Sequence, residues 1–280
     1  MDVWGSSGGL LFGMIGIVLP STFLFGMNAA TSYVSLPMKN SIVIPTYTNF
    51  DGLKTCIDSI SKTTTFGETD VWIVFNGAPP EALSWAEKLP IDFHAIVCRE
   101  PLGFTRAANI GMVASKGENI ILLNDDTAIL DWGKDNKWVR MLVEPLKDES
   151  VAVTGSTMDY WARNKPFLVF FCAAMRRAMA KEMGYLDEAF NPGAGEDADF
   201  CLKAQEKGYK ILQVPEQMTK WETRFPIWHV GHKTCGDLAS WDQVSERNTR
   251  LLESRYPRTD EDRIFQVNFS KGLQNYDLWT

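Results

Sequence analysis

Charge is missing from the start of this 280-residue chain: between Asp2 and Lys39 there is no Asp, Glu, Lys or Arg. Positive charge is also scarce overall, with 28 Lys and Arg against 35 Asp and Glu, a formal net charge of -7. An acidic chain does not attract a phosphate backbone, which excludes non-specific nucleic-acid binding. A small phosphate ligand stays open if a divalent cation neutralises it. Cysteine is sparse and odd in number: Cys56, Cys98, Cys172, Cys201 and Cys235 are scattered, and no pair has zinc-ligand spacing. They read as reduced core thiols of a cytosolic protein. Internal repeats, low-complexity tracts and long linkers are absent. Apolar residues are plentiful: 45% of the chain is hydrophobic and 12% aromatic, so a sizeable core forms and disorder is excluded. The length suits one large α/β domain or two modest ones.

Residues 1–37 differ from the rest. Leu10 to Phe25 is mostly apolar, but it is rich in Gly and interrupted by Pro20, against the ~20 apolar residues a membrane helix needs. A signal peptide fits poorly, because a positive n-region is missing. Three readings stay open: a membrane-associated segment, an extension outside the fold, and a native start at Met38. If the segment spans a membrane, Lys39 on its C-terminal side places the main domain in the cytoplasm.

From residue 41 the pattern alternates strand and helix. Ser41–Ile44 is a short β-rich run ended by Pro45. Leu53, Cys56, Ile57 and Ile60 then follow i, i+3, i+4, i+7 helical spacing. Val71–Phe75, Ala95–Cys98 and Ile120–Leu123 are further buried strands, and Thr105 can cap a helix that runs to Ser115. The second half is less regular. It offers an apolar run at Phe167–Ala173, helices at Met175–Met183, Glu196–Lys207 and Ser240–Ser254, and strands at Lys210–Val214 and Pro226–Val230. Alternation of this kind predicts a mostly parallel sheet covered on both faces, with ligands beyond the carboxyl ends of its strands. Pro45-Thr46-Tyr47, Asn76-Gly77 and Asn124-Asp125-Asp126 all sit at such ends.

A carboxylate held at a strand end can grip a metal that also holds phosphates, although a bare Asp-Asp pair is equally a polar turn. Glu196-Asp197 opens a helix after Gly193-Ala194-Gly195, where acidic residues are favoured for the helix alone. His229 and His232 are two of only three histidines and lie within four residues, downstream of both acidic clusters. That spacing points to one metal ligand, with His229 preferred because it ends the strand-like run.

These segments resemble family 2 glycosyltransferases of the GT-A fold. The resemblance rests on Ser41-Ile42-Val43-Ile44-Pro45-Thr46-Tyr47, Leu102-Gly103-Phe104 with Asn109-Ile110-Gly111, and Leu122-Leu123-Asn124-Asp125-Asp126-Thr127. It continues through Gly184-Tyr185-Leu186-Asp187-Glu188-Ala189-Phe190 and Glu196-Asp197-Ala198-Asp199-Phe200-Cys201-Leu202-Lys203, in the expected order over about residues 41 to 256. It implies an α/β catalytic domain at 38–256, with a mostly parallel central sheet flanked by helices and a mixed C-terminal acceptor half. Residues 257–280 are then a tail.

By the same resemblance, the chain moves one sugar from a nucleotide-sugar donor to an acceptor hydroxyl with inversion, the acceptor being a glycan or a lipid- or protein-linked one. Pro45, Thr46, Tyr47, Asn76, Arg106, Asn109, Asn124 and Asp125 would line the donor. Asp126, with His229 or His232, would hold Mn²⁺ or Mg²⁺. Asp197, with Glu196 beside it, would act as base. Helical steps of about 100° separate Asp197, at the mouth of the cleft, from Asp199, expected to pair with Lys203 at i+4. Three departures stand out: Phe75 where many relatives carry a base-reading Asp, Asn124 at the first metal-motif position, and Lys203 in place of Arg.

A processive synthase is disfavoured, because no Q-x-x-R-W motif is present. A sugar-phosphate nucleotidyltransferase would carry a basic loop near the first strand, and Thr46–Leu53 contains no Arg or Lys. A catalytically inactive sugar-binding relative should have lost Asp126 or Asp197, and both are present.

Overall fold

Consecutive apolar residues in the first strands point to opposite faces of a sheet, and both faces are covered. The computed structural model describes residues 19–20, 39–77, 81–215, 224–230 and 241–262. In chain order, β1 is Leu19–Pro20, β2 Asn40–Thr46, α1 Phe50–Thr63, β3 Thr69–Asn76 and α2 Glu81–Ala86. Next come β4 His94–Cys98, α3 Phe104–Ala114, β5 Asn119–Leu123, β6 Thr127–Ile129, α4 Lys137–Val143 and β7 Val151–Gly155. The rest are β8 Met158–Ala162, β9 Lys165–Leu168, β10 Cys172–Arg176, α5 Arg177–Met183, α6 Glu196–Glu206, β11 Lys210–Gln213, β12 Ile227–His229 and α7 Trp241–Arg255.

The main sheet has the order β1-β4-β3-β2-β5-β10-β7-β11. β4, β3, β2 and β5 are parallel, and β10 runs antiparallel to both β5 and β7. On one face Ile42, Ile44, Val71, Ile73 and Phe75 pack with Leu53, Cys56, Ile57 and Ile60 of α1 and with Trp138 and Leu142 of α4. On the other, Val43, Trp72 and Val74 pack with Ala107, Ala108 and Met112 of α3 and with Phe200 and Cys201 of α6. The four α1 positions picked out by helical spacing are all fully buried. α3 lies very close to the sheet: a Cβ on Gly111 would sit 2.4 Å from Val43 Cγ1 and 2.9 Å from Val74 Cγ2.

Three local expectations are corrected. Pro45 does not end its strand, which runs to Thr46 and pairs Pro45 with Val74 of β3. Pairing with β5 has already stopped at Val43–Leu122, so no partner strand waits there for the N–H that Pro lacks. The expected helix at Met175 starts instead at Arg177, because Cys172–Arg176 is the reversed strand β10. The apolar run Phe167–Ala173 spans the end of β9, a turn at residues 169–171 and the start of β10. Within the first 37 residues, Leu19–Pro20 pairs with Ala95 and His94 on the outer edge of β4. Among the described residues no helix is long and apolar enough to cross a membrane.

Candidate active site

The carboxyl ends of β2 and β5 lie side by side, and the acidic cluster follows β5 directly. Thr46, the last residue of β2, donates from Oγ1 to Asp125 Oδ2 at 2.7 Å. Asn49 caps α1 by accepting from the Gly52 N–H at 3.2 Å and donates from Nδ2 to Asp125 Oδ1 at 3.3 Å. Asp125 is therefore turned toward β2 and α1. Burial pushes its carboxyl up to about 6, although the two donors pull it back.

Asp126 faces the other way. β6 leaves the acidic cluster and β12 returns antiparallel to it, pairing His229 with Thr127. The Val230 N–H then donates to the Asp126 carbonyl at 3.0 Å. This register sets His229 Nε2 at 3.2 Å from Asp126 Oδ1, which is buried and receives no aligned hydrogen bond. The imidazole is fixed from behind by Phe171, stacked at 4.1 Å between ring centroids with planes 12° apart. His232 lies outside the described residues.

The second acidic cluster reaches the same edge through Phe170 and Phe171. The Phe171 carbonyl accepts from the Asn124 N–H at 2.9 Å, and the Phe170 N–H donates to the Asp197 carboxylate. Asp197 Oδ1 also accepts from the Ala198 N–H at 2.8 Å. Glu196 beside it is buried, and its Oε2 has no donor. Burial raises both carboxyls, Asp197's charge adds to the rise of Glu196, and Asp159 of β8 adds to that of Asp197. With two N–H donors against none on Glu196 Oε2, Asp197 is the member that ionises first. Asp199 is held away from this edge by Arg255 Nη1 at 2.7 Å, with Lys203 Nζ at 3.8 Å.

Buried polar atoms without partners are uncommon in folded proteins and call for a reason. Asn124 Oδ1, Asp126 Oδ1, Ser156 Oγ and Glu196 Oε2 are four such atoms, all on residues that border the carboxyl edge or the acid helix. Ser156 and Asp159 escaped the sequence reading. The only available signal for Ser156 was a polar residue placed just past the buried strand Val151–Gly155. Among the described residues, no three His, Cys, Asp or Glu side chains gather to hold a metal unaided.

The other expected donor residues sit nearby in different settings. Pro45 is buried in β2 and Tyr47 is half-buried just beyond it. Asn76 ends β3, and its Oδ1 accepts from the Leu102 N–H at 2.6 Å. Asn109 exchanges both amide bonds with the Leu186 backbone, at 2.8 and 3.0 Å. Arg106 forms an exposed ion pair with Glu188 at 3.1 Å. Phe75 is wholly buried in the α1-facing core.

Residues 41–163 match the family model described as Glycosyl transferase family 2. An uncharacterised protein, y4gI, of Sinorhizobium fredii is 23% identical over 214 residues, 62% of this chain and 23% of that protein's length. The chain thus spans about a quarter of the curated relative it matches. The mannosyltransferase PcManGT from Pyrobaculum calidifontis, solved with GDP-Man and Mn²⁺, superposes with a TM-score of 0.54 at 14% identity, covering 90% of this chain and 87% of that one. GalNAc-T7 with UDP, GalNAc and Mn²⁺ gives a TM-score of 0.52 at 14% identity, over 67% and 46% of the two chains. The expected architecture, a mostly parallel sheet flanked by helices, is the one these structures share: the chain takes the GT-A fold, and residues 41–163 are similar to glycosyl transferase family 2.

Proposed function

We propose that the chain is a glycosyltransferase that moves a single sugar from a nucleoside-diphosphate sugar to an acceptor hydroxyl, inverting the anomeric carbon, with Mn²⁺ or Mg²⁺ bound. The observation that carries this reading is the bare, buried Asp126 Oδ1 at 3.2 Å from His229 Nε2. A carboxylate and an imidazole are suitable ligands for such an ion, and these two are close enough to share one. Asp126 and His229 would hold the cation, and donor phosphates would complete its ligands. Once bound, it offsets negative charge on the diphosphate leaving group.

The chain's own residues do the rest. Phe171 keeps the His229 ring in place, and Thr46 and Asn49 fix Asp125 behind the metal ligand. Asp197, ionised while Glu196 keeps its proton, takes the proton from the acceptor hydroxyl. General-base help of this kind contributes typically ~10²–10⁴-fold. The raised carboxyl of Asp197 makes it a better base than an ordinary aspartate. Lys203, standing where relatives carry Arg, keeps a cation near Asp199 without bidentate geometry.

The test is a screen of UDP-, GDP- and dTDP-sugars with Mn²⁺ and no acceptor, measuring release of the nucleoside diphosphate. One donor turned over in a Mn²⁺-dependent way is the expected result. Release from no donor, together with no nucleotide binding by calorimetry, overturns the proposal.

A further inference from the structure

The loop that delivers Glu196 and Asp197 has a bond of its own, from the Gly193 N–H to the Phe190 carbonyl at 2.9 Å, but its backbone is unusual. Gly193, Ala194 and Gly195 have φ of 157°, 73° and 98°, and Ala194 gains nothing locally from a left-handed conformation. The grip comes from α7. Its buried residues are Asn248 and Leu252, and a buried Asn in the middle of a helix face needs partners. Asn248 Nδ2 points at three carbonyls, those of Phe190 at 2.7 Å, Gly193 at 2.7 Å and Ala194 at 2.9 Å. Its Oδ1 is locked in turn by Arg247 Nε at 2.9 Å and Nη2 at 2.8 Å, and Arg247 Nη2 also donates to the Asn191 carbonyl. Two adjacent side chains thus collect four carbonyls of the six-residue loop Phe190–Gly195.

The loop's other side rests on the start of α3. The Phe104 N–H donates to the Pro192 carbonyl at 2.6 Å, and Asn191 Nδ2 donates to the Leu102 carbonyl at 2.7 Å. About two turns beyond Asn248, Arg255 bridges Asp187 at 2.8 Å and Asp199 at 2.7 Å, on either side of the loop.

Given the transferase reading above, we infer that Asn248 is a positioning residue, whose amide fixes the Phe190–Gly195 loop and thereby aims Asp197 at the acceptor. It touches neither Asp126 nor His229, so it acts on turnover and leaves donor binding alone. The groups facing Asp197 are Glu196 and Cys201 of its own helix and Asp159 of β8. Freeing the loop lets water reach Asp197 and returns its carboxyl toward the ordinary range.

The experiment compares wild type, Asn248→Leu and Asp197→Asn on UDP-glucose, UDP-GalNAc and GDP-mannose with Mn²⁺, recording kcat, donor KM and the pH profile of kcat. Leucine keeps the packing volume and removes the donor. Asn248→Leu should lower kcat by about 10–100-fold, since small misplacements of catalytic groups cost this much, with donor KM within about twofold of wild type. The acid limb of its kcat profile should move to lower pH. A wild-type kcat and limb overturn the inference. So does a lower kcat with the limb unmoved, which reports only fewer folded molecules. If Asn248→Leu fails to fold, the exposed Arg247→Ala decides: a smaller limb shift in the same direction supports the inference, and an unmoved limb overturns it. Equal rates in wild type and Asp197→Asn would remove Asp197 as the base, and turnover of no donor by wild type would sink the transferase reading itself, results distinct from any of these.

Discussion

Asp125 has both carboxylate oxygens occupied, by Thr46 at 2.7 Å and Asn49 at 3.3 Å, whereas Asp126 keeps Oδ1 bare beside His229. Spacing alone offers no way to divide the pair, since they follow the same strand by two and three residues. The division arises from β12, whose register with β6 brings His229 to Asp126 alone. Asp126→Ala should therefore abolish Mn²⁺-dependent binding of UDP or GDP, checked by calorimetry, because a methyl cannot hold a cation on the diphosphate. Unchanged affinity would remove Asp126 from the metal site. A similar contrast separates Asp197 from Asp199. The 100° helical step predicts different faces, and Lys203 does lie near Asp199, but Arg255 comes from a distant helix and could not be read from spacing. Asp197→Asn keeps the shape and removes the basicity, so turnover should fall by at least ~10²-fold with donor binding intact. Near-normal turnover in Asp197→Asn, alongside a dead Asp199→Asn, would reverse the assignment. Asn76 and Asn109 show what residue-level reading misses: both spend side-chain atoms on the backbone of other segments, a use with no local signature.

At the scale of elements, legibility followed the strength of local pattern. α1 was plain because Leu53, Cys56, Ile57 and Ile60 form an apolar stripe, and the cap at Asn49 agrees with it. β10 was hidden because Cys172-Ala173-Ala174-Met175-Arg176 carries helix-favouring residues, and its strand state depends on β5 and β7, both distant in sequence. Tertiary pairing overrode propensity there. The α3 contact with the sheet is equally invisible locally, yet it fixes how near the Leu102–Arg106 segment approaches β2 and β3. Gly111 sits where a methyl would meet the branched side chains of Val43 and Val74. Gly111→Ala should destabilise the fold by about 1–3 kcal/mol through overpacking, despite alanine's better helix propensity. Urea denaturation checks this, and a midpoint at or above wild type would show that α3 can shift at no cost.

Over the whole molecule, raised carboxyls make stability depend on pH in a stated direction. Asp125 is pushed up to about 6, and Glu196, Asp197 and Asp159 are also raised, all chiefly by burial. In the unfolded chain these groups lose their protons near pH 4. Between about pH 4 and pH 6 or above, the folded state therefore binds more protons than the unfolded state, and its stability falls as pH rises. Asp148, Asp187 and Asp262 are held low, so their contribution is lost only as pH drops below about 4, outside this window. His94 is lowered by burial and works in the opposite sense below about 6.5, but it is one group against four. In EDTA, the Tm should be higher at pH 5 than at pH 7.5, and Asp125→Asn should flatten that difference. Mn²⁺ with UDP or GDP should restore the loss at pH 7.5 by about 2.7 kcal/mol at a hundredfold excess over Kd. The cation would then act on the same edge whose buried, unpaired oxygens lower the stability of the metal-free protein. A Tm in EDTA that rises from pH 5 to pH 7.5, or one that Mn²⁺ and nucleotide leave unmoved at pH 7.5, would contradict this account of the site.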